Sequence, residues 1–454
     1  MSRNAIVMKK RGFVSGIAVA FALAAGIVPA AIASPGAGVV ATTGSARFFV
    51  AQDGVALSQF PSRSRLAAGV LVGTTEPVGT PGRWQASSSA TWLSVTSHGR
   101  TGQKVQLTAD PTGLATDTLY TATVTLKGTL GSSVRGSVPI RVALWIGSTD
   151  PVSRIVEHDA ASLSANPVEP WVYVSDGSPD IDVFNVYNGR LIKSFPGIAP
   201  SIGELQISSD GTKLFAVDTT NYKIIAVNAK SGQILKSYAL AGPISSYFSF
   251  TYARPAGVPT LFAPGQAAID VATGNQVSDP IAESFVGAVI TSTADGSHLA
   301  ILDGILHSYT VISDNGYLTI TAIKSAPISG ENCPDVAISP DGSRLYPACG
   351  WPYEFDVYDF VSLKQVQTLA ATNYPDNAEF DSDGDFVGGI DGLYADADVY
   401  VYDLDGYNLG TVPLIEYAQG QQNALMKISG DSTRVISGTW NPSNQILFRE
   451  MPHQ

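Results

Sequence analysis

The chain is short of charge, of basic charge above all, and of the residues that build metal and redox centres. Charged side chains make up 15% of its 454 residues, against ~25% in an average soluble domain. Two cysteines, four methionines and five histidines are too few for a disulfide-dense scaffold or a histidine-rich metal protein. After residue 34 no apolar run approaches the ~20 residues of a membrane span. Glycine (44) and proline (27) are abundant instead, and Ser and Thr punctuate the whole length. That composition excludes coiled coil, long helix bundle and disorder, and predicts an all-β protein of many short strands.

Residues 1–33 have the three zones of a secretory signal peptide. Arg3, Lys9, Lys10 and Arg11 are its basic start, Phe13 to Val28 its apolar stretch, and Ala31-Ile32-Ala33 the small residues of a cleavage site. Pro29 and the Ala-x-Ala end favour cleavage over a membrane anchor, and with no cysteine following them a lipoprotein anchor is not expected. The mature chain is expected to be soluble, and secreted or periplasmic.

Charge divides unevenly. Lys and Arg total 27 against 39 Asp and Glu, 27 − 39 = −12; without the four signal-peptide bases this becomes 23 − 39 = −16. Residues 34–150 hold nine basic and five acidic side chains, +4, which leaves 14 and 34 for residues 151–454, −20. A body of that charge repels nucleic acid and anionic membrane. It suits cations, neutral glycans or basic partners.

Residues 44–147 alternate apolar and polar residues in short runs such as KVQLTAD (104–110), LYTATVTLKG (119–128) and SVPIRVALWIG (137–147). In TATVTL each threonine faces water and each Ala, Val or Leu the core. About seven strands in about 100 residues predict a β-sandwich. The stretch 88–128, with Trp84 and then Trp92-Leu93-Ser94-Val95, a D-P-x-G-L turn (DPTGL, 110–114) and a T-A-T-V-T strand, resembles the BACON domain, an immunoglobulin-like sandwich of bacterial secreted proteins. The resemblance implies carbohydrate or mucin binding, or a spacer role. Trp92 is expected in the core.

Residues 153–454 repeat. SSDGTKLFAVD (208–218) has relatives in STADGSHLAILDG (292–304), SPDGSRLYPACG (339–350), DSDGDFVGGIDG (381–392) and SGDSTRVISGTW (429–440), with weaker copies at 166–177 and 254–266. The marks Pro170, Asp210, Ala256, Asp295, Asp341, Asp383 and Gly430 are 39 to 47 residues apart. That period with four strand-like runs per unit predicts a seven-bladed β-propeller. The last unit lacks an outer strand, and SRIVEHDA (153–160) can supply it, closing the ring with the N-terminal side of the domain. The S-x-D-G-x-x-L-x-V line and the following V-x-V-x-D/N-x-x-S/T-G line resemble bacterial seven-bladed propellers of the YVTN or surface-layer type, a likeness that speaks for fold and little for chemistry.

Cys333 and Cys349 lie eight residues either side of Asp341, so hairpin symmetry sets them opposite each other. In an exported chain a disulfide is expected; a metal or nucleophilic pair would need a suitably spaced histidine.

Two groups converge on the face where each inner strand begins, the top face. Glu204, Asp335 and Asn377, each six residues before its turn mark, and Asn423 nearby form a polar group that could hold calcium or sugar hydroxyls. This set is similar to the donors of calcium-dependent lactonase propellers, although no surrounding motif matches. Trp351, Tyr353, Tyr394 and Trp440 form an aromatic group on loops of blades five to seven, suited to stacking on sugars; the alternative is that these rings wedge between blades. No G-x-S-x-G elbow occurs, DSDGD lacks the glycine and glutamate of a calcium loop, and the D-x-A-T-G turn at Asp270–Gly274 resembles quinoprotein propellers without their docking tryptophan. No histidine–carboxylate pair is legible. The expectation is therefore an exported, monomeric, non-enzymatic binding or scaffold protein without a cofactor, its partner a polysaccharide or surface protein. A metal-dependent hydrolase or lactonase is the alternative.

Overall fold

A computed structural model describes residues 46–75, 80–129, 132, 134–242, 244, 248–281, 287–314, 316–393, 395, 397–416 and 419–452. The signal segment 1–33 and Tyr394 lie outside them. The described residues are almost wholly strand, with one 3-10 turn at Pro255–Gly257. Two sheets form the N-terminal sandwich. One has four strands in the order Phe48–Val50, Ala67–Thr74, Lys104–Ala109, Leu93–Val95. The other has six, Ser64–Arg65, Gly54–Gln59, Ser137–Ile146, Thr118–Gly128, Arg83–Ser88, His98–Arg100. The ten strands exceed the expected seven because short edge segments pair where no alternation is long enough to register.

Alternation sets the sandwich core. Ala122, Val124 and Leu126 are buried while Thr121 and Thr123 face out. The tryptophan at the centre is Trp84, fully buried with its indole N–H donating to the Arg100 carbonyl at 2.9 Å. Trp92 packs on the edge of the same core, half-buried.

Seven four-stranded antiparallel sheets follow. From the inner strand a to the outer strand d, blade one is Ser162–Ala165, Trp171–Ser175, Ile181–Asn185, Leu191–Phe195, and blade two Ile202–Ile207, Lys213–Asp218, Lys223–Asn228, Ile234–Ala239. Blade three is Thr251–Ala253, Thr260–Phe262, Ala267–Asp270, Gln276–Pro280, and blade four Val289–Ser292, His298–Leu302, Ile305–Asp314, Tyr317–Pro327. Blade five is Asp335–Ile338, Arg344–Ala348, Glu354–Asp359, Gln365–Ala370, and blade six Pro375–Phe380, Phe386–Ile390, Ala397–Tyr402, Asn408–Pro413. Blade seven is Gly420–Ile428, Arg434–Asn441, Ser443–Glu450, with Arg154–Glu157 as its outer strand. That last strand pairs Arg154 with Phe448 and Glu157 with Gln445. Each strand a neighbours the next one round, and that of blade seven meets that of blade one.

The recurring a–b turn explains the sequence repeat. In blades two, four, five and seven a Ser or Thr hydroxyl donates to the Asp two residues on, at 2.5 to 2.7 Å. The same carboxylate accepts the N–H two residues further. The intervening position is left-handed, filled by Gly211, Gly296 and Gly342, which glycine adopts without strain. Blade seven has Ser432 there, whose hydroxyl bonds Ser382 at 2.6 Å.

These turns seat the sandwich. Arg141 pairs with Glu169 of blade one at 2.6 Å and reaches the Asp210 carbonyl of blade two. Arg65 grips Asp383 of blade six through two nitrogens at 2.6 and 3.1 Å. Arg63 donates to the Met451 carbonyl at 2.7 Å and to Ser432 of blade seven. From the propeller side Arg254 of blade three pairs with Asp53 at 2.6 Å, and Asp53 also accepts Ser209 Oγ at 2.6 Å. Phe60 adds an edge-to-face contact on Tyr187, with ring centroids 4.9 Å apart. Gly54 allows the approach: a Cβ there would stand 2.3 Å from the Ser209 carbonyl oxygen. The contacts span five consecutive blades, more than half the ring, so the sandwich lies across the propeller axis on the face opposite the top. Replacing Arg254 by alanine leaves the partly buried Asp53 carboxylate without its cation and should lower unfolding free energy by about 1.5–3 kcal/mol, read as the shift in a denaturant titration.

Candidate functional site

Along the axis the inner strands enclose a cavity of about 1550 Å³. Its wall includes Glu204, Asp335, Glu379, Asn423 and Lys427. Glu204 and Asp335 thus line the channel. They also clip the ring together. Glu204 Oε2 accepts the Phe250 N–H of the next blade at 3.2 Å, and Asp335 Oδ2 the Ala378 N–H at 2.9 Å. Ser162 does the same for Leu205 at 2.9 Å and Ser249 for Ile290 at 3.3 Å. Strand a leaves one edge unpaired, and a polar side chain at its start satisfies donors that the ladder cannot.

The four polar candidates do not form one group. Asn423 is exposed at a bulge of its strand. Asn377 is fully buried, its amide donating to Asp376 Oδ1 at 2.7 Å and the Gln422 carbonyl at 3.2 Å. Among the described residues no three His, Cys, Asp or Glu side chains are arranged to hold a metal ion.

Sequence reasoning missed Glu379 and Lys427, an ion pair on adjacent inner strands. The Lys427 ammonium also acts on Glu204 and Asp335, drawing their pKa values down against a larger upward push from burial. Burial wins in both: Glu204, enclosed by the ring although it borders the cavity, is pushed up to about 7. A carboxyl poised there takes up or releases a proton near neutrality.

The aromatic candidates stay open to solvent. Trp351, Tyr353 and Trp440 are 52%, 37% and 47% exposed, so they do not wedge between blades. Trp351 and Tyr353 meet edge to face with centroids 5.2 Å apart, and Tyr353 meets Tyr374 at 5.1 Å. Tyr374, on the loop entering blade six, lies outside the repeat line and was not anticipated. Its carbonyl accepts the Asp391 N–H at 2.8 Å, and the Asp391 carboxylate bonds the Trp440 side chain. Trp440 and Asp391 border the axial cavity. A band of rings thus runs from blade five to the channel mouth.

The Cys333–Cys349 disulfide forms as expected. Beyond it Glu331 and Trp351 exchange backbone hydrogen bonds of 3.3 Å, so the bond and the bridge together fix the Trp351 backbone. Two histidine–carboxylate pairs do exist, His158–Asp182 at 2.7 Å and His307–Asp303 at 3.1 Å. Ser194 donates to Asp182 and not to the ring, whereas Ser325 Oγ lies 2.7 Å from His307 Nδ1. His158 and His307 join neighbouring segments around strand c, away from the axial wall.

No family model matches the chain, and no curated protein is significantly similar to it.

Because folded Glu204 holds its proton more tightly than the unfolded chain does, from the ordinary 4.5 up to about 7, its ionisation weakens the fold as pH rises through that window. Denaturation midpoints should fall between pH 5 and 8, and Glu204→Gln should flatten part of that fall. Replacing both cysteines by serine should cost about 3 kcal/mol of stability for a loop of this length, measured as the drop in unfolding free energy relative to the oxidised protein.

Proposed function

We propose that this is an exported, monomeric, non-enzymatic recognition protein of the secreted or periplasmic space, which binds a polysaccharide on the top face of its propeller. The supporting observation is the exposed band Trp351–Tyr353–Tyr374, continued by the Asp391-bonded Trp440 to the channel mouth. Ring faces stack on the C–H faces of sugars, and neighbouring carboxylates and amides receive hydroxyls. Anchoring of Trp351 by the disulfide and the Glu331 bridge lowers the entropy lost on binding. The BACON-like character of the sandwich and the YVTN-like repeats agree with a surface role, in which a surface protein is the other class of partner. No helix among the described residues is long and apolar enough to cross a membrane.

A second reading, a propeller hydrolase or lactonase, draws on Glu204, whose carboxyl near pKa 7 suits general base work at neutral pH. Lactone turnover lost in Glu204→Gln would favour it.

The first test is a binding screen of the mature chain over polysaccharides and peptidoglycan, followed by Trp351→Ala and Trp440→Ala. Each substitution should weaken binding of the best ligand at least tenfold in calorimetry while leaving the melting transition in place. Unchanged affinity in both would remove the aromatic band from the function.

A further inference from the structure

The axial cavity carries a charge that the ring band by itself does not use. Six carboxylates line it, Asp159, Asp176, Glu204, Asp335, Glu379 and Asp391, against one cationic side chain, Lys427, so 1 − 6 = −5 with all of them ionised. Among the described residues no arginine or histidine borders it. The two signs are separated along the axis. Glu379 and Lys427 pair with each other next to last in strand a of blades six and seven, toward the sandwich end. The other five surround the mouth. Glu204 and Asp335 stand in the first half of strand a of blades two and five, Asp159 ahead of strand a of blade one, and Asp176 and Asp391 just after strand b of blades one and six.

Asp391 joins this mouth to the rings. Its carboxylate accepts the Leu393 N–H at 3.2 Å and bonds the Trp440 side chain, and its own N–H donates to the Tyr374 carbonyl at 2.8 Å. A sugar unit stacked on Trp440 therefore meets a carboxylate at the edge of the indole. The sandwich lies across the far end of the axis, so a ligand reaches the mouth from the face on which the rings stand.

The sign of that mouth discriminates between classes of polysaccharide. A glycan bearing carboxylates or sulfates meets its own charge there and is repelled. A neutral glycan gains hydrogen bonds alone. A glycan with free amino groups gains ammonium–carboxylate hydrogen bonds, roughly twice as strong as neutral ones. Burial holds the carboxyls of Glu204, Asp335 and Asp391 above the ordinary carboxylate range, and an ammonium among them acts the other way, favouring the ionised form. At longer range the −20 of residues 151–454 draws a polycation in.

We propose that the polysaccharide bound on this face is one of 2-amino sugars with free, unacetylated amino groups, whose ammonium groups sit among the carboxylates of the mouth while its rings stack on the aromatic band. The inference rests on the glycan-binding reading given above and adds to it the chemical class of the sugar. Asp391, at the junction of band and mouth, is its specificity-determining residue.

The test sets two oligosaccharides that differ only in acetylation against each other, the β-1,4-linked hexamers of glucosamine and of N-acetylglucosamine, titrated into the mature chain by calorimetry at a mildly acidic pH where the amines are protonated. The amino hexamer should bind at least tenfold tighter, and added salt should shrink that advantage. Asp391→Asn, which keeps the side-chain shape, should weaken the amino hexamer at least fivefold and leave the acetylated one unchanged, with a cooperative melt showing that it folds. Equal or tighter binding of the acetylated hexamer overturns the proposal. So does an amino-hexamer advantage that survives Asp391→Asn and Glu204→Gln combined, and so does tighter binding of hexalysine, which would make the mouth a reader of basic peptide. The two readings fail separately. A neutral or acidic polysaccharide bound in preference, and lost in Trp351→Ala, sinks the amino-sugar inference and leaves glycan recognition standing, whereas a chain that binds no glycan at all loses both.

Discussion

Everything in the propeller depends on one antiparallel pairing, Arg154–Glu157 against Ser443–Glu450. It joins strands almost 300 residues apart in sequence, and without it blade seven has an open edge and the ring an unlocked seam. The pairing is braced from both sides. The fully buried Arg434 donates to the Val152 carbonyl at 2.9 Å, just before the closing strand, and to the Phe448 carbonyl at 3.0 Å, within its partner. Seven residues earlier the chain is still sandwich, so the closing strand is also the tether. The sandwich then docks its own arginines on the turns of blades one, two, six and seven. Seam, linker and docking face form one mechanical unit.

The polar residues of the channel serve that unit as well as any ligand. A serine at the start of strand a would suffice to clip one blade to the next, as Ser162 and Ser249 show. Blades two and five carry carboxylates at that position, and both line the cavity. Their burial is partly offset by Lys427, whose closest partner is Glu379. The channel is consequently a place where small changes in charge or protonation are felt by the fold, whereas Trp351 and Tyr353 are exposed to solvent.

Legibility in the sequence followed the range of the interactions concerned. The S-x-D-G turn is local: hydroxyl, carboxylate and left-handed glycine lie within five residues, so blades two, four and five declare themselves directly, and the other marks follow from the 39- to 47-residue period. The disulfide was readable for the same reason, since Cys333 and Cys349 flank one such hairpin. Docking was not readable, because Arg63, Arg65 and Arg141 find Asp383, Glu169 and main-chain carbonyls only once two domains exist. Glu379 and Lys427 were missed because the residues facing a propeller axis do not follow a simple alternation along strand a. Asn377 shows the same limit in reverse: its offset from the turn matched Glu204 and Asp335, but its amide turned into the blade interface. Trp84 took the central place expected of Trp92, as burial in the sandwich is set by strand pairing and not by the motif that marks the domain.

The seam has a further consequence in the order of synthesis. The strand that closes the ring is made early, directly after the sandwich, and its partner strand is among the last segments to be made. During synthesis the leading part of the chain must therefore carry an unpaired strand while the blades are laid down behind it. A chain interrupted before residue 443 can never complete blade seven. It would present an exposed edge, a mark by which quality control can separate unfinished molecules from finished ones.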